Sequence, residues 1–146
     1  MKLGVKLCRE GARLPQYATS GAACFDIYAV LIEPIWVTSK CPAIVPTGLK
    51  FDIPEGYFLA VHSRSGHGFK NDVRLANSTG IIDSDYTGEL MIKLTRDKDD
   101  LDAFAVVHGD RIAQAMLMPV QQVELLEVED VKETVRGDGG FGSTGK

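Results

Sequence analysis

The chain has 146 residues, which is the size of one domain that buries roughly 70% of its unfolded surface on folding. With 20 acidic and 16 basic residues its formal net charge is −4, which argues against a nucleic-acid polymer as ligand because no basic stripe is available to neutralise phosphates. No stretch approaches the roughly 20 apolar residues of a membrane span, so we expect no membrane contact.

The N-terminal segment and the cysteines indicate the compartment. Residues 1–15 (MKLGVKLCREGARLP) contain no apolar core of signal-peptide length before charged residues and Pro intervene. Cys8, Cys24 and Cys41 are an odd number without a CxxC pair, which is typical of reduced thiols. We therefore expect a cytoplasmic protein.

Short runs that alternate apolar and polar residues predict strands in the first half of the chain, whereas helical periodicity is nearly absent. Residues 49–53 (LKFDI) alternate cleanly and are stopped by Pro54 and Gly56. The pattern restarts at residues 57–61. Residues 65–71 (SGHGFKN) break the alternation and predict a turn or two of helix.

The second half continues this pattern up to a glycine-rich tail. Leu90, Ile92 and Leu94 share one face of the predicted strand 89–95. Further strands are predicted at residues 103–107, 112–120 and 120–128, of which 112–120 is apolar enough to be buried on both faces. The pattern ends at about Asp130. Many short, turn-bounded strands indicate an all-β sandwich or barrel.

Residues 63–66 (SRSG) lie between a predicted strand and the predicted helix. Backbone amides at a helix start, together with a hydroxyl and a guanidinium, form an anion site. The alternative is a helix cap beside a surface Arg, because Ser is a favoured N-cap residue.

Residues 77–88 (NSTGIIDSDYTG) also have two interpretations. Gly80 and Gly88 bracket a hairpin in which Asp83 and Asp85 are turn residues. However, the β-branched residues and the Tyr within it resist tight-turn geometry, which favours a pocket wall. A carboxylate in such a pocket can act as general base toward a water molecule.

Residues 109–114 (GDRIAQ) lead from a turn into a predicted buried strand. Arg111 and Gln114 lie within an apolar run and need partners, because unpaired burial of a charge is costly. The partner of Arg111 is either an Asp of the same chain or a phosphate of a ligand.

Residues 140–146 (GFGSTGK) spell GxxxxGK, most of a nucleotide-binding P-loop. A P-loop also needs a strand before it, and a Ser or Thr and then a helix after it. The strand pattern has already ended here, so the segment is either a frayed terminus or a phosphate-binding tail.

Together these four segments place Arg, Ser, Gln and a glycine-rich backbone beside an Asp. This combination indicates a polyphosphate site with a carboxylate that activates water. His62, His67 and His108 lack metal-ligand spacing. A metal would therefore be held largely by phosphate, as Mg²⁺ often is.

The same segments resemble, in order, the five signature motifs of the homotrimeric dUTP diphosphatases (dUTPases). The matching stretches are residues 22–29 (AACFDIYA), 63–66 (SRSG), 80–88 (GIIDSDYTG), 109–114 (GDRIAQ) and 136–145 (RGDGGFGSTG). Residues 45–49 (VPTGL) and 53–56 (IPEG) are also family-like. Five motifs in order with the right spacing are highly specific, and the resemblance covers essentially the whole chain.

The resemblance implies an all-β jelly-roll (β-clip) fold with one short helix. It implies a β domain at residues 1–130 and, at residues 131–146, a mobile arm that closes over a neighbouring subunit's active site. It also implies a homotrimer with active sites shared between subunits. The implied reaction is Mg²⁺-dependent hydrolysis of dUTP to dUMP and diphosphate, which keeps uracil out of DNA and supplies dUMP for dTMP synthesis.

The resemblance also implies a role for individual residues. Asp83 would activate the water that attacks the α-phosphorus, and Asp85 would be a structural partner of an Arg. Asp26 would act on the metal indirectly, through water. The residues implied to bind phosphate are Arg64, Ser65, Gly66, Gln114, Arg136, Ser143 and Thr144. The residues implied to bind uracil or deoxyribose are Asn77, Gly80, Ile81, Ile82, Tyr86, Met91 and Phe141. Among these, Tyr86 would exclude a 2′-hydroxyl and Phe141 would stack on the base.

Two positions depart from the family pattern, and two other functions are alternatives. Cys24 stands where the family usually has Gly, and Ser63 replaces a common Pro. The dCTP deaminases share the fold but carry a Glu on the strand after the third motif, where this chain reads LMIKLT at residues 90–95. A non-catalytic trimer that binds dUTP as a regulator is the other alternative, and the intact Asp83 and tail argue against it.

Overall fold

The structure, a computed structural model, describes residues 1–98 and 103–143. Within these ranges the chain forms twelve short strands and one helix. The strands are β1 (Gly4–Leu7), β2 (Gln16–Tyr17), β3 (Phe25–Tyr28), β4 (Ile35–Val37), β5 (Ala43–Pro46), β6 (Leu49–Asp52), β7 (Tyr57–His62), β8 (Val73–Leu75), β9 (Thr79–Ile82), β10 (Met91–Arg96), β11 (Phe104–Val106) and β12 (Arg111–Pro119). The helix, α1, spans Ser65–Asn71.

Two antiparallel sheets carry most of the strands. The larger has the order β2-β3-β12-β7-β9 and the smaller the order β5-β10-β8. The remaining strands form two pairs, β1 with β6 and β4 with β11. Every strand pairing among the described residues is antiparallel. The prediction of an all-β chain with one short helix is confirmed.

One hydrophobic core joins the two sheets. Ile27, Leu59 and Ile112 of the larger sheet and Val45 and Ile92 of the smaller are almost completely buried. Burying a side chain of this kind contributes roughly 1.5–3 kcal/mol relative to leaving it in water. The core therefore fixes the two sheets against each other. The segments that connect the sheets are held in position as a result.

The clearest alternating patterns give the predicted strands. In β6, Leu49 and Phe51 are buried while Asp52 is exposed. Leu90, Ile92 and Leu94 are buried on one face, as predicted. In β12 the adjacent residues Ile112 and Ala113 are both buried, as expected for a strand covered on both faces, but its last residues are exposed.

The prediction of a strand at residues 120–128 is wrong. No strand forms there, and every residue from 118 to 138 is exposed. The exposed apolar side chains of this stretch include Val123, Leu125, Leu126, Val128, Val131 and Val135. An alternating pattern indicates a segment with one apolar face that is stabilised by burial. A strand also needs a neighbouring strand to accept and donate its backbone hydrogen bonds. We refer to residues 120–130 as the linking segment, because they join β12 to the arm at residues 131–146.

The hairpin interpretation of residues 77–88 is also wrong. β9 pairs with β7 in the larger sheet, whereas β10 pairs with β5 and β8 in the smaller one. Residues 83–90 therefore cross from one sheet to the other and do not form a tight turn within one sheet. We call these residues the crossing loop.

A membrane-spanning helix is not found among the described residues, whose longest helical segment is α1 with seven residues.

Candidate active site

β9 lies at the edge of the larger sheet. Its residues Gly80, Ile81 and Ile82 pair with Val61, Ala60 and Leu59 of β7 on one side. On the other side no strand of the described chain pairs with it, so its outward N–H and C=O groups are available to a ligand. A Cβ atom at position 80 would lie 3.1 Å from the Val61 Cβ, tighter than most contacts. Glycine therefore permits the close packing of this edge.

The turn before β9 is held by its own polar groups. Ser78 has a positive φ of 63°, and the Asn77 side-chain amide donates to the Thr79 carbonyl at 3.3 Å. The Ala76 N–H donates to the Lys93 carbonyl of β10 at 2.8 Å, which ties this turn to the smaller sheet. Asn77 is thereby held between the two sheets.

Two adjoining cavities bring the residues implied to bind base and sugar together. One, of about 240 Å³, is lined by residues that include Ile81, Ile82, Asp83, Tyr86 and Met91. The smaller one, of about 50 Å³, is lined by residues that include Asn77, Gly80, Ile82 and Met91. Ile82 and Met91 belong to both, so six of the seven residues implied to contact uracil or deoxyribose share one region, with the carboxylate of Asp83 at its rim.

Tyr86 is fixed within the crossing loop by its hydroxyl. The hydroxyl donates to the Glu89 carbonyl at 3.0 Å, and the Tyr86 N–H donates to the Asp83 carbonyl at 3.2 Å. A Cβ atom at position 88 would lie 2.4 Å from the Tyr86 hydroxyl oxygen. Gly88 is therefore required for the ring to lie over the loop backbone.

Asp26 joins two arginines at the start of β12. Its side chain is buried, and Arg64 Nε donates to Oδ1 at 2.9 Å while Arg111 NH1 donates to Oδ2 at 3.2 Å. The pairing of β12 with β3 shifts register between Arg111 and Ala113, and such an irregularity re-aims a side chain. The partner of Arg111 is thus Asp26, and not the adjacent Asp110, whose carboxylate accepts from the Val107 N–H.

Residues 63–66 form the junction between β7 and α1. Arg64 occupies the N-cap position and makes no side-chain cap bond, so the helix-cap interpretation of this motif does not hold. The Ser63 hydroxyl instead accepts from the Leu75 N–H at 2.9 Å, and the Ser63 carbonyl accepts from Gln114 Nε2 at 2.8 Å. Arg64, Ser65, Gly66 and Gln114 are therefore brought together where β7 leads into α1, next to β12.

Cys24 lies next to this cluster. The pKa of its thiol is raised, first by burial and then by the negative charge of Asp26. A thiol with a raised pKa is a poor nucleophile at neutral pH, so Cys24 fits a packing role at the position where the resemblance showed a departure.

The metal prediction was tested against the donor groups of the chain. No group of three or more His, Cys, Asp or Glu side chains among residues 1–98 and 103–143 has a metal-binding arrangement. Both oxygens of Asp26 already accept from arginines. These residues fit a divalent cation only if phosphate and water supply most of its ligands, which Mg²⁺ tolerates.

In the part of the arm that the structure describes, residues 131–143, the hydrogen bonds join arm residues to one another. Arg136 Nε donates to the Gly139 carbonyl within the arm, and Phe141 is fully exposed with a positive φ of 48°. Ser143 donates its N–H to the Gly140 carbonyl. Thr144 lies outside the described residues.

Comparisons with known proteins identify the family. The dUTPase family profile matches residues 10–145 of this chain. The chain belongs to the dUTPase family. A deoxyuridine 5′-triphosphate nucleotidohydrolase of Nautilia profundicola is 42% identical over 146 residues, which cover 100% of both chains. One of Fusobacterium nucleatum is also 42% identical, with 99% of both chains covered.

Solved dUTPases have the same fold. The dUTPase of Staphylococcus bacteriophage 80alpha, solved with dUpNHpp, is 29% identical, covers 99% of both chains and has a TM-score of 0.84. The dUTPase of phage phi11 of S. aureus is 27% identical over 89% of this chain, with a TM-score of 0.78, and that structure concerns the coordination of a structural Mg(II) ion. The jelly-roll prediction agrees with these dUTPase neighbours.

Some features of this dUTPase site could not be read from its sequence. The indirect, water-mediated role of Asp26 toward a metal stays a prediction, whereas its hydrogen bonds to two arginines were not expected. Its place between Phe25 and Ile27 in an apolar strand was the available signal, because a carboxylate there needs a partner. The expected contact of Asp85 with an Arg is not present in the part of the chain that the structure describes. A contact between Arg9 and Glu89, eighty residues apart, gave no sequence signal at all.

Proposed function

We propose that this dUTPase-family chain hydrolyses dUTP to dUMP and diphosphate, with Asp83 as the general base. The observation that carries the proposal is the cavity of about 240 Å³ that Asp83 and Tyr86 line together with the strand residues Ile81 and Ile82. Such a cavity offers a carboxylate, an aromatic ring and an open strand edge within one small volume. The relatives named as dUTP nucleotidohydrolases, and the phage enzyme solved with dUpNHpp, support this substrate.

The base would be read by backbone and amide groups. Along the outward edge of β9, alternate residues of the stretch from Gly80 to Ile82 offer backbone N–H donors and C=O acceptors, and Asn77 offers an amide. Uracil presents alternating acceptors and a donor along its edge, which these groups complement. The small cavity beside Met91 leaves little volume for a thymine methyl group.

The sugar would lie against Tyr86. Its ring is held over Gly88, and its hydroxyl is occupied by the Glu89 carbonyl. The ring face therefore acts as a fixed wall. A fixed wall excludes an additional 2′-hydroxyl by steric contact, in the bound substrate and in the transition state alike.

The phosphates would bind at the junction of β7 and α1. Arg64 Nε donates to Asp26 and Arg64 Nη1 donates to the Arg111 carbonyl, so further N–H donors of the guanidinium remain for phosphate. Ser65 and Gly66 offer backbone amides at the first helical positions. Gln114 supports the same junction through Ser63 and retains a second amide hydrogen.

When bound, Mg²⁺ would neutralise phosphate charge, and phosphate and water would supply most of its ligands. Asp26 would act on it only through water, because its carboxylate oxygens hold Arg64 and Arg111. Asp83, in contrast, is exposed and forms no ion pair with another described residue. It would accept a proton from the attacking water as the new bond to the α-phosphorus forms. The bond from the α-phosphorus to the bridging oxygen breaks, and diphosphate leaves.

The site would be completed by other copies of the chain in a homotrimer. The linking segment and the arm expose apolar side chains that a single copy leaves in water. Extended, the chain from Val128 to Phe141 spans on the order of 40 Å, enough to reach a neighbouring subunit. There Arg136, Ser143 and Thr144 would bind phosphate and Phe141 would stack on the uracil. The division at residue 130 and the cytoplasmic location stay predictions.

The test is incubation of the protein with each dNTP and with UTP in the presence of Mg²⁺, followed by analysis of nucleotides and diphosphate. The expected result is dUMP and diphosphate from dUTP alone. Binding of dUTP without turnover would point to a regulatory trimer, and release of ammonia from dCTP would point to a deaminase. Either outcome would replace the proposed function.

A further inference from the structure

The far end of the crossing loop is held by an ion pair with the N-terminal segment. Arg9 Nε donates to Oε1 and Oε2 of Glu89 at 2.7 and 2.9 Å, and the Gly48 N–H donates to Oε1 at 2.8 Å. The Glu89 side chain is only 16% exposed, whereas that of Arg9 is 47% exposed. The pKa of Glu89 is lowered, first by the hydrogen bond from Arg9. A carboxylate held by three such contacts is more firmly placed than one in an ordinary surface pair.

The residues around this ion pair are fixed by the β5–β6 turn. The Thr47 hydroxyl, which is buried, donates to the Leu90 carbonyl at 2.7 Å, and the Leu90 N–H donates to the Leu49 carbonyl at 2.8 Å. Gly48 has a positive φ of 67°, and a Cβ atom there would lie 2.6 Å from the Ala12 Cβ. The N-terminal segment is therefore packed closely against the turn that holds residues 89 and 90.

Residue 89 also holds the Tyr86 ring, the fixed wall against which the sugar would lie. The Glu89 carbonyl accepts the hydrogen bond from the Tyr86 hydroxyl, while the Glu89 side chain accepts from Arg9 and Gly48. One residue thus links the N-terminal segment to the aromatic ring of the cavity. Rotation or displacement of Glu89 would move the acceptor of the Tyr86 hydroxyl.

We propose that Arg9 and Glu89 are positioning residues for Tyr86, and that this contact contributes to the selection of deoxyribose over ribose triphosphates. The inference rests on the proposed role of Tyr86 in sugar selection. The ion pair immobilises residue 89, residue 89 orients the Tyr86 hydroxyl, and the ring then stands close enough to exclude a 2′-hydroxyl. An unsupported ring would give way to the larger sugar.

The first experiment compares kcat/KM for dUTP and for UTP in the wild type and in Arg9→Met, which keeps the aliphatic stem. In Arg9→Met, kcat/KM for dUTP divided by kcat/KM for UTP should fall by about 3- to 10-fold. This is in the range of coupling between contacting residues. Arg9→Lys keeps the charge and should restore part of the ratio. Arg74→Met is the matched control, because Arg74 Nε likewise donates to both oxygens of an exposed carboxylate, that of Asp97, and neither residue lines the two cavities; it should leave the ratio unchanged.

A double-mutant cycle shows whether the effect passes through Tyr86. Glu89→Gln keeps the side-chain shape, and Tyr86→Phe removes only the hydroxyl that donates to residue 89. We expect Glu89→Gln to lower the ratio in the wild-type background and to change it little in the Tyr86→Phe background. Independent, additive effects of the two substitutions would overturn the inference.

The outcomes also separate this inference from the proposed function. If Arg9→Met lowers kcat/KM for both nucleotides equally while Tyr86→Ala still changes the ratio, the ion pair is only structural and the inference alone fails. If Tyr86→Ala leaves the ratio unchanged, the proposed role of Tyr86 in sugar selection and the inference fail together. If the wild type does not hydrolyse dUTP, the proposed function fails as well.

Discussion

At the scale of single residues, Asp26 and Asp83 have opposite surroundings. Asp26 is buried, and its two oxygens accept from the guanidinium groups of Arg64 and Arg111. Asp83 is exposed at the rim of the cavity and forms no ion pair with the other described residues. A carboxylate with uncommitted lone pairs can take a proton from water, whereas one held by two arginines serves better to fix them. The structure therefore favours Asp83 as the base and Asp26 as the anchor.

Replacing Asp83 should remove the base and leave the fold intact. Asp83 is exposed and Asn has nearly the same shape, so we expect the oligomeric state and dUTP binding of the wild type to persist while kcat falls by roughly 10²–10⁴, the usual range for loss of a general base. Single-turnover hydrolysis and dUTP binding measure the two quantities separately. Asp85→Asn, two residues away in the same loop, is the control and should leave kcat close to that of the wild type. The reverse pattern would show that the base is assigned to the wrong carboxylate.

Removing the ring of Tyr86 should weaken the choice of sugar. Tyr86→Ala opens the cavity beside Gly88, so UTP should become a better substrate relative to dUTP. The measurement is the ratio of kcat/KM for the two nucleotides in parallel assays. An unchanged ratio would mean that another residue excludes the 2′-hydroxyl.

At the scale of elements, the alternation of apolar and polar residues predicted strands well where a strand pairs with another strand of the same chain. β6 and β10 follow the pattern because each has a buried face and a neighbouring strand, whereas β7, paired on both sides, forms as predicted but buries three consecutive residues. The pattern failed at residues 120–128, whose apolar side chains find no paired strand in their own chain. It also could not show that β9 and β10 join different sheets, since pairing depends on contacts far apart in sequence. The same limit hid the contact of Arg9 with Glu89.

The ion pair that holds the crossing loop should make stability depend on acidity. The folded pKa of Glu89 lies below its ordinary value of 4.5, so the native state releases this proton more readily than the unfolded chain. Its contribution is complete above about pH 4.5 and is lost as the pH falls through the folded pKa. Urea unfolding of the wild type and of Glu89→Gln should show the largest difference at neutral pH and a shrinking difference in acid. A difference that is constant with pH would exclude Glu89 as the titrating group.

At the scale of the whole molecule, the linking segment leaves Leu125 and Leu126 in water although the rest of the chain has a closed core. Contiguous exposed apolar residues commonly mark an interface. In a trimer these side chains would be buried by neighbouring copies, which would also carry the arm toward another subunit's cavity. Assembly and completion of the active site would then depend on the same stretch of chain.

A charge within the linking segment should therefore weaken assembly. Leu125→Glu should shift sedimentation toward smaller species and make the melting temperature lower and less dependent on protein concentration, because association stabilises the folded chain by mass action. Ile32→Glu is the control, since Ile32 is equally exposed but lies outside the segment. A surface position without an interface changes stability by no more than about 0.5 kcal/mol. Identical behaviour of the two variants would argue against an interface at Leu125.

The arm provides the sharpest test of whether the molecule works as an assembly. A variant that ends at Val135 lacks Arg136, Phe141 and Ser143. Among the described residues, none of these three forms a hydrogen bond to the β core of its own chain. A frayed terminus carries little burial, so its removal would change nothing measurable. An arm that closes over a neighbouring site would take with it charge-assisted phosphate donors, and the loss of one well-placed donor can cost about 10²–10³ in rate.

We expect the truncated protein to remain trimeric, because the linking segment is intact, and to lose activity on at least that scale. Phe141→Ala should cost less, about 1 kcal/mol or somewhat more, as expected for the loss of one base–aromatic stack. Mixing the truncated protein with an Asp83→Asn variant that keeps its arm supplies a sharper measurement. If arms act in trans, mixed trimers recover activity, since intact arms reach sites that still carry Asp83. Full activity of the truncated protein alone would contradict the closing arm.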